Sequence, residues 1–288
     1  MQSLQEHKEE QWDLEIKSET KLLDFHIADL IRYRDLLGLL IRRDFVANYK
    51  QTVMGPVWIF LQPLLTTLMF TLVFGRIAKL STNGMPMLPF YLSGLIPWNY
   101  FADCLNRTSS VFVANASVFG KVYFPRLVMP LSIVVSNVIR LAIQFGLFIC
   151  ILTYYIVQGK VTPQYELFPL FFFNILLLAV LGMGLGMLIS AIATKYRDIS
   201  NLMAFAVQLL MYATPIIYPL AVAREKSIGW LIELNPLSPP MELNRLIFFG
   251  NGEVSPQTML YSSIVAVVIF CLGLAMFNKT ERNFIDTV

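Results

Sequence analysis

RRDFVANYKQTVMGPVW, residues 42–58, is the junction at which the chain changes character. Basic and polar residues end at Lys50, and a hydrophobic run opens at Gly55 and Pro56. Arg42, Arg43, Asp44 and Lys50 directly before an apolar run of span length predict a cytoplasmic anchor at a first transmembrane helix. Tyr49 and Trp58 flank the crossing, where amphipathic rings favour the headgroup level. The charged flank of any membrane helix satisfies the same physics, so the rest of the chain has to decide what kind of membrane protein this is.

Composition agrees with a membrane setting. Of 288 residues, 56% are hydrophobic and 14% charged, with a mean hydropathy of +0.62. A soluble domain carries about a quarter charged residues. Cys104, Cys150 and Cys271 lie within apolar stretches and read as small hydrophobes, with no spacing that implies a disulfide or a metal. His7 and His26 sit in the polar N-terminal region. The net charge of +3 is small, and no nucleic-acid partner is expected. The first fifty residues lack an isolated apolar core followed by a small-residue cleavage site, so no signal peptide is expected.

Residues 1–23 are polar, with WDLEI at 12–16 as a weak strand candidate. From Asp24 to Lys50, Ile27, Leu30, Ile31, Leu37, Leu40, Ile41 and Phe45 recur at roughly helical spacing among charged residues. This predicts an amphipathic helix in the cytoplasmic interface. A soluble docking helix would read alike; the adjacent apolar run favours the interface. Six spans are predicted, at roughly 55–75, 90–114, 128–157, 168–193, 200–219 and 257–277. The second carries Asn99, Asp103, Asn106 and Arg107 and should face protein or water rather than lipid. Residues 220–256, with Pro236, Pro239 and Pro240, are too short and broken to cross twice, and predict short re-entrant helices.

Charge placement orients the chain. With the N-terminus inside, Arg32, Arg34, Arg42, Arg43, Lys50, Lys121, Arg126, Lys195, Arg197, Lys279 and Arg282 are cytoplasmic. Arg76, Lys79, Lys160, Arg224, Lys226 and Arg245 are outside. The excess puts both termini in the cytoplasm.

No G-x-x-x-x-G-K-[ST] motif occurs, so the chain cannot hydrolyse ATP in that way. Nor do paired carboxylates, a Ser-His-Asp set or a metal-spaced cluster appear, and the chain does not read as an enzyme. GMGLG, Gly182 to Gly186, lies mid-span and predicts close helix packing through small residues rather than a nucleotide fingerprint. Two cytoplasmic loops carry more specific chemistry: GKVYFPR at 120–126 and ATKYRDISN at 193–201. Lys121, Tyr123, Phe124 and Arg126 in the first, and Lys195, Tyr196, Arg197 and Asp198 in the second, read as docking elements for a partner's groove. Ordinary positive-inside flanks account for the same charges. Asp198 is also placed to cap the fifth span. Among the aromatics, Trp98, Tyr100, Phe101 and Tyr212 are candidates for a sugar-stacking conduit. For any single one of them the interfacial aromatic belt is the favoured account.

Several motifs then agree in order and spacing. They are RRDF…YKQTVMGPVW with Pro63 beyond it, GLIPWNYF at 94–101, GKVYFPRLVMPLS at 120–132, KYRDISN at 195–201, PIIYP at 215–219, LNPLSPPMELNR at 234–245 and a terminal FNKTERNFIDTV. Together these resemble the permease of O-antigen and related surface-polysaccharide ABC exporters, from Trp12 to Val288. The resemblance implies an all-α integral membrane protein of the ABC-2 permease type. Residues 1–50 would form the cytoplasmic segment and interface helix, and 51–288 the six-span domain with external gate helices at about 220–256. It implies a homodimer in the bacterial inner membrane, working with two copies of a separate ABC ATPase. ATP and Mg would be bound there, and this chain would hold no cofactor. The substrate would be an undecaprenyl-diphosphate-linked polysaccharide threaded between two permeases, with Arg42, Arg43 and Lys50 near the lipid diphosphate. Both loops would contact the ATPase. A teichoic-acid or capsule exporter is the alternative within the superfamily. A drug or lipid extruder, expected to have a greasier cavity than WNYFADCLNR implies, and a membrane scaffold without transport are the alternatives outside it.

Overall fold

The computed structural model describes residues 31–49, 54–116, 124–196, 198–227 and 229–284. Among these the secondary structure is helical throughout, with no strand. The WDLEI strand candidate lies outside the described residues. Helix α1 spans Arg34–Tyr49. Leu36, Leu37 and Leu40 form one face of it, packed into the core against the helix Val128–Val157, while Leu39 and Val46 stay exposed. The apolar face predicted from the sequence also takes in Ile31, which is 64% exposed.

Gly55, at φ 49°, turns the chain into α2, Val57–Phe70, which runs on into a π-helical segment, Thr71–Ile77. Pro63 sits inside α2, where its missing N–H leaves the Ile59 carbonyl without a helical partner. Gln144 supplies one: its side-chain amide donates to that carbonyl at 3.3 Å, and both residues are buried. A proline in a membrane helix is tolerated when a neighbouring helix satisfies the freed backbone group in this way.

Helix α3, Met87–Ser109, is followed by a single turn, α4, Val111–Ala114. Helix α5 spans Val128–Val157 and α6 spans Phe168–Ala193. Helix α7, Ile199–Tyr212, leads to three short helices: α8, Leu220–Arg224; α9, Gly229–Leu234; and α10, Ser238–Phe249. Helix α11, Pro256–Phe284, closes the described chain.

The centre is α6, flanked by α3 and α11. Its GMGLG glycines make the close approach possible. A Cβ on Gly186 would fall 2.5 Å from the Thr108 Cβ on α3, and one on Gly184 would fall 2.7 Å from the Phe270 Cα on α11. Gly273 answers Gly184 from the α11 side, where a Cβ would come within 2.3 Å of the Gly184 carbonyl oxygen. The glycines thus serve two helix contacts on opposite faces, as small residues do in membrane bundles. Phe145, Phe148, Phe171 and Phe248 fill the space between α5, α6 and α10, with the Phe145 and Phe171 rings stacked at 4.4 Å.

Among the described residues, four helical segments are long and apolar enough to cross a membrane: Val57–Ile77, Val128–Val157, Tyr165–Ala193 and Pro256–Glu281. The sequence predicts six spans, and the other two differ for physical reasons. Helix α3 has the length, at 23 residues, but carries Asn99, Asp103, Asn106 and Arg107. Helix α7 is apolar but has only 14 residues, and the chain turns at Thr214 rather than continuing to Pro219. Residues 220–249 form short helices, as expected for a segment broken by prolines.

Candidate transport and coupling sites

The two loops singled out as docking elements are built differently. Lys121 and Tyr123 lie outside the described residues, as does Arg197. Phe124 and Arg126 do not project: both are buried. Arg126 reaches the far end of α11, where its guanidinium donates to the Glu281 carbonyl at 2.9 Å and lies 3.8 Å from the Glu281 carboxylate. Burial pushes the Arg126 pKa down, and the Glu281 charge opposes that shift. The expectation of an arginine offered to a partner is corrected here, because a buried cation with a protein partner is already committed. In the second loop Lys195, Tyr196 and Asp198 are exposed, and the Lys195 ammonium lies 5.5 Å from the centre of the Tyr196 ring. Asp198 sits at the N-terminus of α7, yet its carboxylate makes no capping hydrogen bond, contrary to the sequence reading.

Arg42 and Arg43 are exposed on α1, and Lys50 lies outside the described residues. Arg43 is paired with its neighbour Asp44 at 2.9 Å. The two residues also line a cleft of about 240 Å³ with Arg107, Ser110, Asn115 and Ser132. The cleft joins α1 to the ends of α3 and α5. Of the polar residues on α3, Arg107 lines this polar space shared with α1, while Asn106 is exposed.

The conduit aromatics divide in the same way. Trp98, Tyr100 and Phe101 are buried within the protomer, at 3%, 3% and 0% exposure. Trp98 packs on Phe101 at 5.5 Å, so these rings are part of the core and cannot present flat faces to a sugar in this conformation. The sequence reading fails because α3 is wedged between neighbours on most of its circumference. Tyr212 is exposed, at the end of α7 next to Leu209 and Phe205 on an open apolar face. Its carbonyl accepts a hydrogen bond from the Tyr218 hydroxyl at 2.7 Å.

Two charge pairs escaped the sequence reading as pairs. Asp103 on α3 and Arg140 on α5 meet at 2.7 Å, both partly buried. Each was visible as an intraspan charge, and opposite charges on separate spans are a signal that they pair. Glu242 and Arg245 on α10 form the second pair, at 2% and 0% exposure. Arg245 also donates to the carbonyls of Ile216 at 3.1 Å and Tyr218 at 3.3 Å, and its guanidinium lies 4.2 Å over the Phe90 ring. Glu242 accepts from the Leu220 amide at 3.0 Å and the Glu253 amide at 3.2 Å. Burial pushes the Arg245 pKa down, with Glu242 opposing. The LNPLSPPMELNR and PIIYP motifs therefore meet at one buried ion pair. The i, i+3 spacing of Glu242 and Arg245, just after Pro239 and Pro240, was the available cue.

The family profile described as ABC-2 type transporter matches residues 35–249, which takes in α1 to α10. This chain belongs to the ABC-2 type transporter family. Among the similar ABC-2 proteins is the O-antigen export system permease protein RfbA of Myxococcus xanthus. It is 26% identical over 266 residues, covering 91% of this chain and 98% of that protein. RfbA of Klebsiella pneumoniae is 27% identical over 256 residues, covering 88% and 94%. The polysialic acid transport protein KpsM of Escherichia coli is 22% identical over 246 residues, covering 85% and 93%. Against this ABC-2 background, the motifs that carry the sequence resemblance fall at the structural joints: the α1–α2 turn, the Arg126 anchor and the Glu242–Arg245 pair.

Proposed function

We propose that this chain is the permease subunit of an ATP-driven exporter that moves a surface polysaccharide out of the cytoplasm across the bacterial inner membrane. The observation that carries this reading is end-to-end similarity to polysaccharide-export permeases of both O-antigen and capsule systems. The higher identities fall with the O-antigen permeases, which favours a lipid-linked O-antigen or similar polymer on undecaprenyl diphosphate over a capsule or teichoic acid.

In this reading α2, α3, α5, α6, α7 with the turn after it, and α11 cross the bilayer, both termini are cytoplasmic, and α8–α10 dip in from the outside. Two permeases form the channel between them. The open apolar faces of α2 and α7 are the surfaces available to a second copy, and Tyr212 on α7 is the conduit candidate that remains exposed. Two copies of a separate ATPase supply ATP hydrolysis, and Lys195 and Tyr196 are the residues free to meet them. Arg42 and Arg43, exposed on α1 with Arg43 lining the polar cleft, would receive the lipid diphosphate as charge-assisted partners.

Deleting the gene in its host tests the proposal. Loss of the long surface glycan, with lipid-linked chains trapped on the cytoplasmic face, is the expected result. An unchanged surface glycan would sink it and turn attention to drug and lipid substrates.

A further inference from the structure

At the end of the spans away from α1 lies a second large cleft, of about 600 Å³. It is lined by Leu68, Thr71 and Arg76 on α2 and its π-helical end. Gly84, Pro86, Met87 and Leu88 border it at the start of α3, and Tyr155 and Lys160 at the end of α5. A smaller cleft of about 180 Å³ adjoins it and shares Gly84, Pro86 and Lys160. Neither cleft is lined by a carboxylate. Among the described residues neither Arg76 nor Lys160 forms an ion pair.

The backbone that builds the cleft is unusual. Seven residues, Thr71–Ile77, keep the wider π-helical winding, and the Ala78 amide bonds back to the Val73 carbonyl at 2.8 Å. Stretches of this kind are rare and concentrate at functional sites. Gly75 lets the widened turn sit directly on Met87, whose sulfur would lie 2.6 Å from a Cβ at that position. On the facing side Gly159, at φ 69°, reverses the chain so that Lys160 follows α5 directly, its ammonium 6.0 Å from the Tyr155 ring centre.

The surroundings mark the level of the membrane surface. Leu68, Leu72, Val73, Ile77, Tyr154 and Val157 are exposed around the cleft, an apolar and aromatic fringe of the type that borders headgroups. Two uncompensated cations at that depth, above an apolar wall, match an anionic headgroup with acyl chains below it. We propose that the cleft between the π-helical end of α2, the start of α3 and the turn after α5 holds the phosphate of an anionic phospholipid, with Arg76 and Lys160 as its cations. The wall from Leu68 to Leu72 carries the acyl chains. Lipid held here would fix the end of α2 against α3, and it does so whichever face of the membrane this end occupies.

The test is native mass spectrometry of the purified full chain offered phosphatidylglycerol and phosphatidylcholine together. Wild type retains phosphatidylglycerol in preference. Lys160→Gln, in an exposed turn, reduces that preference about fivefold, and Arg76→Gln with Lys160→Gln about thirtyfold. Lys79→Gln, which removes a nearby cation that does not line the cleft, leaves it unchanged. An unaltered preference in Lys160→Gln and the double variant overturns the proposal. So does equal displacement by inorganic phosphate, which assigns the cleft to a soluble anion, or by an acidic oligosaccharide without acyl chains, which assigns it to exported glycan.

Discussion

Arg126 and Tyr196 belong to stretches that look alike in sequence, each basic and aromatic between apolar helices, yet the first side chain is buried in the protomer and the second stands clear of it. Arg126 is spent on the end of α11, holding the Glu281 carbonyl. Tyr196 is 51% exposed beside Lys195. A cation near a membrane surface can be a fastener or a handle, and residue type does not distinguish the two. Burial with a committed partner makes the first, and exposure makes the second. The same contrast recurs within one short stretch at the other motif cluster. Arg245 is fully buried with Glu242, whereas Arg224 bridges Glu233 and Glu253 at about half exposure.

The sharpest way to break this comparison is Arg245→Met. It strands Glu242 in the interior and is expected to cost about 3–5 kcal/mol, read as a large drop in thermal unfolding temperature of the purified protein. A variant as stable as wild type would show that the pair is no fastener. Next is Arg126→Ala, which leaves the Glu281 carbonyl short of a donor and is expected to cost about 1–3 kcal/mol in the same assay. If it unfolds like wild type but loses ATPase stimulation, Arg126 belongs with the handles. Arg224→Gln should cost less than about 1 kcal/mol, because its ion pairs are solvent-screened and pay side-chain entropy to form. A loss matching that of Arg245→Met would erase the distinction between the two arginines. Smallest in stability is Tyr196→Ala, for which no shift in thermal unfolding is expected. Its effect should appear instead as loss of ATPase coupling and surface glycan. Normal export in that variant would remove the second loop from the coupling interface.

The aromatic run at 98–101 shows how far sequence reading reached. It read α3 as a span whose polar residues face protein or water rather than lipid. It could not tell which neighbours would cover that helix, because α5, α6, α2 and α10 all meet it from distant parts of the chain. The glycines of GMGLG were legible as a packing device, since small residues inside an apolar run have few other uses there. That their contacts fall on two opposite helices was not legible. Likewise Pro63 announced a missing hydrogen bond, but Gln144, far along the sequence, had to be found in space.

By itself, the sequence determined the membrane setting, the helical class, the approximate bounds of the long helices and the motifs shared with the ABC-2 family. These follow from local hydropathy, helical period and turn chemistry, which are properties of contiguous residues. Only the tertiary structure decided which charges are buried and paired and which aromatics lie in the core. Those outcomes depend on long-range contacts, where the cost of leaving a polar group unpartnered away from water selects one arrangement among many with the same local pattern.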